Sequence, residues 1–594
     1  MGSVTLEPFY GAAARSMSQS WHNFIFGAAD PWGTVSVDKL PGALWVQSLS
    51  LRLFGFHLWA IVLPQVVEGV LTVLVLYRAV RRVAGAGAGL IAATVMAISP
   101  VTVLLNRGNI SDSLLILMLA LAADATTRAI IDNRPRSLLM AGVWVGLAFQ
   151  AKMTQAWLIL PALYLAYVIA APATGFLRRS GHIVLSGLIV LVVSLSYMTA
   201  VSAVPAHDRP FVDGSCDNSI YSQVFLYNGL ARLNVGLDES GCSKPSGFLQ
   251  HNAKLGESTG LGTFGIGKGP GRLLTGPFGR DDAWLLIPTV VSALGLFVSR
   301  RRRPRTDPIR AATILWTSWL VLTFAFFSAG KYLNSYYLAA LIPAFAALCG
   351  MGAALAWQHR QSIVTRSVVA ATVAASTAYA LVLLPDDVGI RIPIFASTLV
   401  VAALAVAILA ASLGRRHASV WTVTVGLGLS AIALLISSAW ATTTVLVTGE
   451  GPFDTPYQPA SVTFLSQTVP THDRSDWPEL NRLADSFPRH QAVEVWETSG
   501  IAGYYILATG REFLPVGGFT GTVPVPTVAQ FVRYVKEHRV EHATVAVQPL
   551  SGNPVMLWIT HHCVKLTDSQ ASFVDNDTTF QRYLCSPADA IGSS

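Results

Sequence analysis

The chain has 594 residues, of which 52% are hydrophobic and only 12% charged, with a mean hydropathy of +0.50. Soluble domains carry about 25% charged residues, so a soluble enzyme is excluded and a polytopic α-helical membrane protein is expected. The net charge of +8 fits the Lys/Arg excess of loops that orient helices. With no basic–aromatic stripe, it gives no reason to expect a nucleic-acid partner.

Residues 1–57 come first, and residues 5–45 read TLEPFYGAAARSMSQSWHNFIFGAADPWGTVSVDKLPGALW. An irregular polar backbone cannot lie in hydrocarbon with its hydrogen-bonding groups unpaired. The segment is therefore expected outside the membrane, as a first outside loop ending in an amphipathic interfacial helix over 44–56. Apolar stretches near the spanning length of about 20 residues follow at 58–79, 86–105, 113–131, 138–152, 155–172, 183–203, 283–299, 311–330, 336–357, 367–384, 392–412 and 420–447. Arginine clusters follow every second stretch: Arg78, Arg81 and Arg82; Arg128, Arg134 and Arg136; Arg178 and Arg179; Arg300 to Arg303 with Arg305; Arg360; and Arg415 with Arg416. Those loops are expected to be cytoplasmic. About twelve spans then form a bundle over 58–447, with both termini, the large loop 204–282 and residues 450–594 outside. The last region loses its apolar runs. VEVWE and ATVAV read there as strands, and VAQFVRYVKEH and VMLWITHHC as helices, giving a small extracellular α/β domain.

Three outside acids stand out: Glu7 in L-E-P-F-Y, Asp38 in V-D-K-L-P and Asp112 in N-R-G-N-I-S-D-S-L-L. An acid entering a membrane helix is a functional candidate, because burying its charge is costly. For Asp112 the competing reading is a helix cap, with Ser111 before it. Lys39 competes with a snorkelling interfacial anchor, and Glu7 with a solvated tail residue. Together they suit one chemistry. A carboxylate can deprotonate an acceptor hydroxyl, and a lysine can neutralise a phosphate leaving group on a lipid whose head lies outside. Arg272 and Arg280, in GIGKGPGRLLTGPFGR, are further candidates for that phosphate. The same run lacks the order of a nucleotide phosphate loop and does not follow a strand. One or two carboxylates could hold a divalent ion, but no complete ligand set is visible. An oxidising compartment would let two local cysteine pairs close, Cys216–Cys242 and Cys563–Cys585, leaving Cys349 in an apolar run.

F-Y-G-A-A-A-R-S-M-S-Q-S-W-H-N-F-I-F-G, V-D-K-L-P-G-A-L-W-V-Q and N-R-G-N-I-S-D-S-L-L resemble the bacterial family 39-like membrane glycosyltransferases. So do Y-N-G-L-A-R (227–232), K-Y-L-N-S-Y-Y-L-A-A-L-I-P-A (331–344) and I-L-A-T-G-R with V-G-G-F-T-G (506–521). These are C-type enzymes similar to protein O-mannosyltransferases and the lipid A aminoarabinose transferase. The nearest likeness is to the mannosyltransferase group of Gram-positive bacteria and actinobacteria that carries an extracellular C-terminal α/β domain. The resemblance implies a C-type glycosyltransferase fold with a polyprenyl-phosphate sugar as donor and a cell-envelope glycan, lipid or protein as acceptor. It places Glu7 and Asp112 as the catalytic acids and Lys39 at the donor phosphate; Asp38, Tyr10, Arg107 and Tyr336 are candidate supporting residues. Two departures are visible. Lys39-Leu40-Pro41 stands where the family has Lys-Pro-Pro, and only six residues precede Glu7, where the family has a transmembrane helix. The sequence is therefore expected to be truncated or to have a misassigned start.

The expected reaction is an inverting glycosyl transfer on the outer face of a cell membrane. The rivals are a lipid-linked sugar flippase, which would need charges deep in several spans, and a non-catalytic partner in envelope assembly.

Overall fold

Glu7 sets the first helix. Its carboxylate accepts a hydrogen bond from the Tyr10 N–H (2.8 Å) and Pro8 takes the first helical position, so α1 (Pro8–Gln19) begins there. The computed structural model describes residues 6–172, 175–233, 267–330, 333–385, 391–414, 419–457, 475–548, 551–567, 572–575 and 578–590. A Ser20 cap starts α2 (Trp21–Phe26), which ends on Gly27 at φ 66°, a left-handed stop open to glycine. The helix α3 (Gly42–Phe54) leaves Val46, Leu49, Leu53 and Phe54 exposed while burying Ala43, Leu44, Gln47 and Leu51. That asymmetry suits the interfacial helix expected at 44–56.

The bundle comprises α4 (Leu58–Ala84), α5 (Ala86–Ala97), α6 (Pro100–Asn106), α7 (Asp112–Ile131), α8 (Pro135–Lys152), α9 (Leu160–Ala170) and α10 (Phe176–Ser202). After the large loop come α11 (Gly276–Asp282), α12 (Leu286–Arg300), α13 (Pro308–Ala329), α14 (Ile342–Gln358), α15 (Ile363–Leu383), α16 (Arg391–Leu413) and α17 (Val420–Thr448). Among the described residues, nine helical runs are long and apolar enough to cross a membrane, or ten if α5 and α6, bent by 65°, make one span. The bend falls at Ser99-Pro100, where proline cannot continue the helix before it.

The expected division of 138–172 into two stretches is a reversal in the structure, although Pro135–Ala170 has the composition of one long 36-residue run. Ser186 of α10 donates to the Leu138 carbonyl in the first turn of α8 (2.9 Å) and accepts from Tyr164 of α9 (3.2 Å). A straight helix would separate Leu138 and Tyr164 by about 39 Å, so α9 runs back along α8. The turn is made at Met153, at φ 49°, and by the 3-10 segment Met153–Ile159.

One end of the bundle is held by arginines. Asp124, buried in α7, is gripped by Arg78 (2.8 Å), Arg128 (3.2 Å) and Arg82 (3.7 Å). Arg305 donates to the carbonyls of Ile169 and Ala171 (2.9 and 3.0 Å), and Arg366 to that of Ser412. These guanidinium groups satisfy carbonyls that helix ends leave open. The opposite end carries the candidate site.

The C-terminal region forms α18 (Trp477–Ser486), β1 (Glu494–Glu497), α19 (Ser499–Thr509), β2 (Phe513–Val516), α20 (Val528–Lys536), β3 (His542–Gln548), α21 (Pro554–His562), β4 (Val564–Lys565), β5 (Ser572–Asp575) and β6 (Thr578–Leu584). The sheet order is β2-β1-β3-β6-β4, with β5 also on β6. The first three strands are parallel and β6 is antiparallel to β3. Cys563 and Cys585 are disulfide-bonded, as expected. Cys216 is also in a disulfide, and its expected partner Cys242 lies outside the described residues. The domain sits against the first loop: α1 crosses α19 at two glycines. A Cβ on Gly503 would meet the Phe9 Cα at 2.9 Å, and one on Gly11 would meet Leu507 at 3.0 Å. At Gly503 the two backbones touch because that residue has no side chain, and Gly11 leaves room for the Leu507 side chain.

Candidate active site

Four segments converge at the end opposite the arginines: the N-terminus of α1, residues 36–39, the N-terminus of α7 with the C-terminus of α8, and residues 209–214. Asn109 fixes the first to the third. Its side-chain amide accepts from the Glu7 N–H (2.8 Å) and donates to the Glu7 carbonyl (2.9 Å), pairing with that residue as a neighbouring strand would. Glu7 Oε2 is held by the Tyr10 N–H, while Oε1 takes no hydrogen bond among the described residues. Burial pushes the Glu7 carboxyl up from 4.5 to about 8; Lys39 lowers it and Asp38 raises it.

Asp38 accepts from the Tyr10 hydroxyl (3.1 Å) and lies 3.8 Å from the Lys39 ammonium. That ammonium also stands 4.2 Å from the centre of the Tyr10 ring, a cation–π contact. Lys39 is thus drawn inward, with its side chain 10% exposed, which rules out the snorkelling anchor. Asp112 opens the first turn of α7 with Ser111 at the cap position, the placement of the competing reading. Ser111 makes no side-chain cap, and the Asp112 carboxylate is ion-paired with Lys152, the last residue of α8. Lys152 in turn lies 3.7 Å from the Tyr337 ring centre and 4.6 Å from that of Tyr336.

Sequence reasoning missed four residues here. Lys152 had a signal, since a lysine ending an apolar helix is a functional candidate. Asn109 was inside a noted motif, but its double hydrogen bond is tertiary. Asp213 had no signal among the acids of its loop. It accepts from the N–H groups of Gly214 (2.7 Å) and Phe519 (2.8 Å), and burial with the nearby Asp38 charge pushes its carboxyl up from 3.8 to about 8. Arg209 joins Lys39, Tyr197, Val201, Phe26 and Gln223 in lining a small pocket between α10 and the first loop. Asn218 orients the Arg209 guanidinium through its side chain (2.8 Å) and carbonyl (2.9 Å).

Other expected residues lie elsewhere on the same face. Arg272 donates to the Phe327 carbonyl and to that of Gly330 (2.8 Å), capping α13. Arg280 donates to the Leu383 carbonyl (3.1 Å) and Arg107 to that of Val445 (3.2 Å). Tyr336 packs between Lys152 and Phe453. Asp38 and Asp112 are engaged by lysines. Among the described residues no three His, Cys, Asp or Glu side chains are arranged to hold a metal ion.

The arrangement supplies a carboxylate that titrates near neutrality, buried lysines with aromatic walls, and an outward pocket with two cations. Residues 38–198 match the family described as "Dolichyl-phosphate-mannose-protein mannosyltransferase", and residues 489–562 match "Putative mannosyltransferase YkcB-like, C-terminal". The chain is a glycosyltransferase similar to the family 39-like membrane enzymes. Two Bacillus subtilis (strain 168) relatives span almost all of this glycosyltransferase. "Putative mannosyltransferase YycA" is 28% identical over 97% of this chain and 93% of its own length. "Putative mannosyltransferase YkcB" is 29% identical over 93% and 87%. ArnT from Cupriavidus metallidurans shares the fold at 15% identity. The TM-score is 0.51 for its apo crystal structure (98% and 94% of the two chains covered) and 0.53 for the one bound to undecaprenyl phosphate (98% and 95%).

Proposed function

We propose that this glycosyltransferase moves a sugar from a polyprenyl-phosphate donor to an acceptor hydroxyl, with inversion at the anomeric carbon, on the outer face of the membrane. The observation that carries the reading is the pocket between α10 and the first loop, where Lys39 and Arg209 meet beside apolar Val201, Ile220 and Phe26. A lipid phosphate needs that combination, cationic donors for the head next to an apolar wall for the chain. Arg209 has no carboxylate ion-paired with it among the described residues, so its charge is available to the phosphate. The ArnT structure bound to undecaprenyl phosphate supports a donor of this class.

The acceptor oxygen attacks the anomeric carbon from the side away from the phosphate. A new C–O bond forms as the bond to the phosphate oxygen breaks. The hydroxyl proton passes to Glu7, whose pKa near the operating pH suits a general base. The leaving phosphate develops its charge beside Lys39 and Arg209. Lys152 holds Asp112 in place at the mouth of α7, where the pair can orient the sugar. The arginine-rich loops on the opposite face support an outer position for the site by charge, and for the C-terminal domain with it.

The test is photo-crosslinking of the full chain in lipid nanodiscs with a diazirine-bearing polyprenyl phosphate. Labels at Phe26, Tyr197 and Val201 that a polyprenyl-phosphate mannose displaces are the expected result. Labelling confined to the far face of the bundle would overturn the assignment.

A further inference from the structure

In a doubly wound α/β layer, ligands sit off the C-terminal ends of the parallel strands. In this chain those ends are Thr498-Ser499 after β1 and the turn Gly517–Thr522 after β2, and they point at the membrane site. They are tied together: the Thr498 N–H donates to the Val516 carbonyl and the Ser499 N–H to the Gly518 carbonyl, both at 2.9 Å. Thr498 is held at φ 72°, a conformation that a β-branched residue adopts only under strong constraint.

The turn reaches the bundle directly. The Phe519 N–H donates to Asp213 Oδ2 (2.8 Å). A Cβ on Gly518 would stand 2.5 Å from Asp213 Oδ1, so only glycine allows that approach. The Phe519 ring lies 4.8 Å from that of Phe9, two residues after Glu7. Phe519 and Thr520 are only partly buried, and the Thr520 and Thr522 hydroxyls are 2.6 Å apart. Residues 517–526 (GGFTGTVPVP) carry no charged side chain. Facing them, Asp38 is beside Lys39 and Asp112 is paired with Lys152.

We propose that the turn Gly517–Thr522 is the acceptor subsite and that its occupant is a neutral sugar, with its ring face on Phe519 and its hydroxyls at Thr520 and the neighbouring carboxylates. The proposal rests on the glycosyl-transfer reading above and adds the acceptor class and the domain that selects it. The part of the Phe519 ring left uncovered by the core and by Phe9 offers a flat apolar face with a negative π cloud, complementary to the C–H face of a pyranose. Hydroxyls and carboxylates around it suit the sugar's O–H groups. Charge argues the same way. Cation and anion stand together within the two lysine pairs, and burial with the nearby Asp38 charge pushes the Asp213 carboxyl up to about 8. The turn itself offers a charged acceptor no side chain of opposite charge. Asp213 is a positioning residue in this scheme, because it holds the turn through Phe519.

The experiment is saturation-transfer NMR on the full chain in nanodiscs with three soluble probes: methyl α-mannoside, glycerol and glycerol 3-phosphate. Saturation of the mannoside ring protons is expected, lost in Phe519→Ala and kept in Phe519→Tyr, with neither glycerol probe saturated. No ring saturation in the parent chain, an undiminished signal in Phe519→Ala, or preference for glycerol 3-phosphate would each overturn the proposal. In the transfer assay, Asp213→Asn is expected to raise the KM for methyl α-mannoside about tenfold while kcat changes less than threefold. A purely structural role would lower both together with the amount of folded protein. NMR needs no donor, so failure of donor labelling would sink the donor reading and leave this one standing.

Discussion

At the residue scale, Lys39 and Glu7 do opposite jobs within one small volume, and their environments separate them. Lys39 lies 3.8 Å from Asp38 and over the Tyr10 ring, whereas burial pushes the Glu7 carboxyl up to about 8. Replacing Lys39 with Ala should lower kcat/KM by about 10²–10³-fold, the usual cost of losing a group that meets developing charge. Steady-state rates on a polyprenyl-phosphate mannose check this. Glu7 serves as a base only when ionised, so turnover should climb as pH rises through about 8, and Glu7→Gln should remove both that limb and most of the activity. The same shift acts on stability in the other direction. The unfolded chain releases this proton near 4.5, the folded chain near 8, so the stability that Glu7 contributes at low pH is lost as pH rises through about 8. Thermal unfolding of Glu7→Gln should therefore show a flatter pH dependence than the parent. Glu7, Lys39 and Asp112 were legible in the sequence because charges beside long apolar runs are rare. Asp213 and Arg209 were not, because their loop is polar throughout and only its fold against residues 34–38 selects them.

At the element scale, α7 and α8 form an antiparallel pair locked by Asp112 and Lys152. Breaking a buried pair by removing one partner leaves an uncompensated charge and costs about 3–5 kcal/mol. Lys152→Met should therefore lower the unfolding temperature strongly. Asp112→Asn with Lys152→Met should recover much of the stability but none of the activity, which separates the structural role of the pair from its place in the site. Periodicity and length made the apolar helices legible, and charge alternation gave their directions. Two features were not. The break between α5 and α6 depends on packing around Ser99-Pro100, and the reversal at Met153 sits inside an apolar run that composition cannot divide. Ser186 divides it by touching both α8 and α9.

At the scale of the whole molecule, the C-terminal domain is a wall of the site. Its strands β1 and β3 and helices α20 and α21 were legible from alternation, but α19 was not, because ILATG reads equally as a buried strand. Its docking was not legible either, since nothing local marks Gly11 and Gly503 as partners. Gly503→Val should push α19 off α1. Overpacking of this kind typically costs about 1–3 kcal/mol, and it is expected to abolish transfer while the bundle stays folded, as judged by monodispersity and retained donor labelling. Asp30 and Glu512 add a second tie, with the Trp32 N–H donating to Glu512 (2.9 Å) and burial holding both carboxyls above their usual range.

The central claim is that Glu7 and Lys39 act on a polyprenyl-phosphate sugar. Release of polyprenyl phosphate from synthetic polyprenyl-phosphate mannose by the purified full chain tests it most directly, with Glu7→Gln and Lys39→Ala at matched folding as comparisons. The account predicts release by the parent chain and a loss of about 10²-fold or more in each variant. Release that both variants sustain at the parent rate would contradict it.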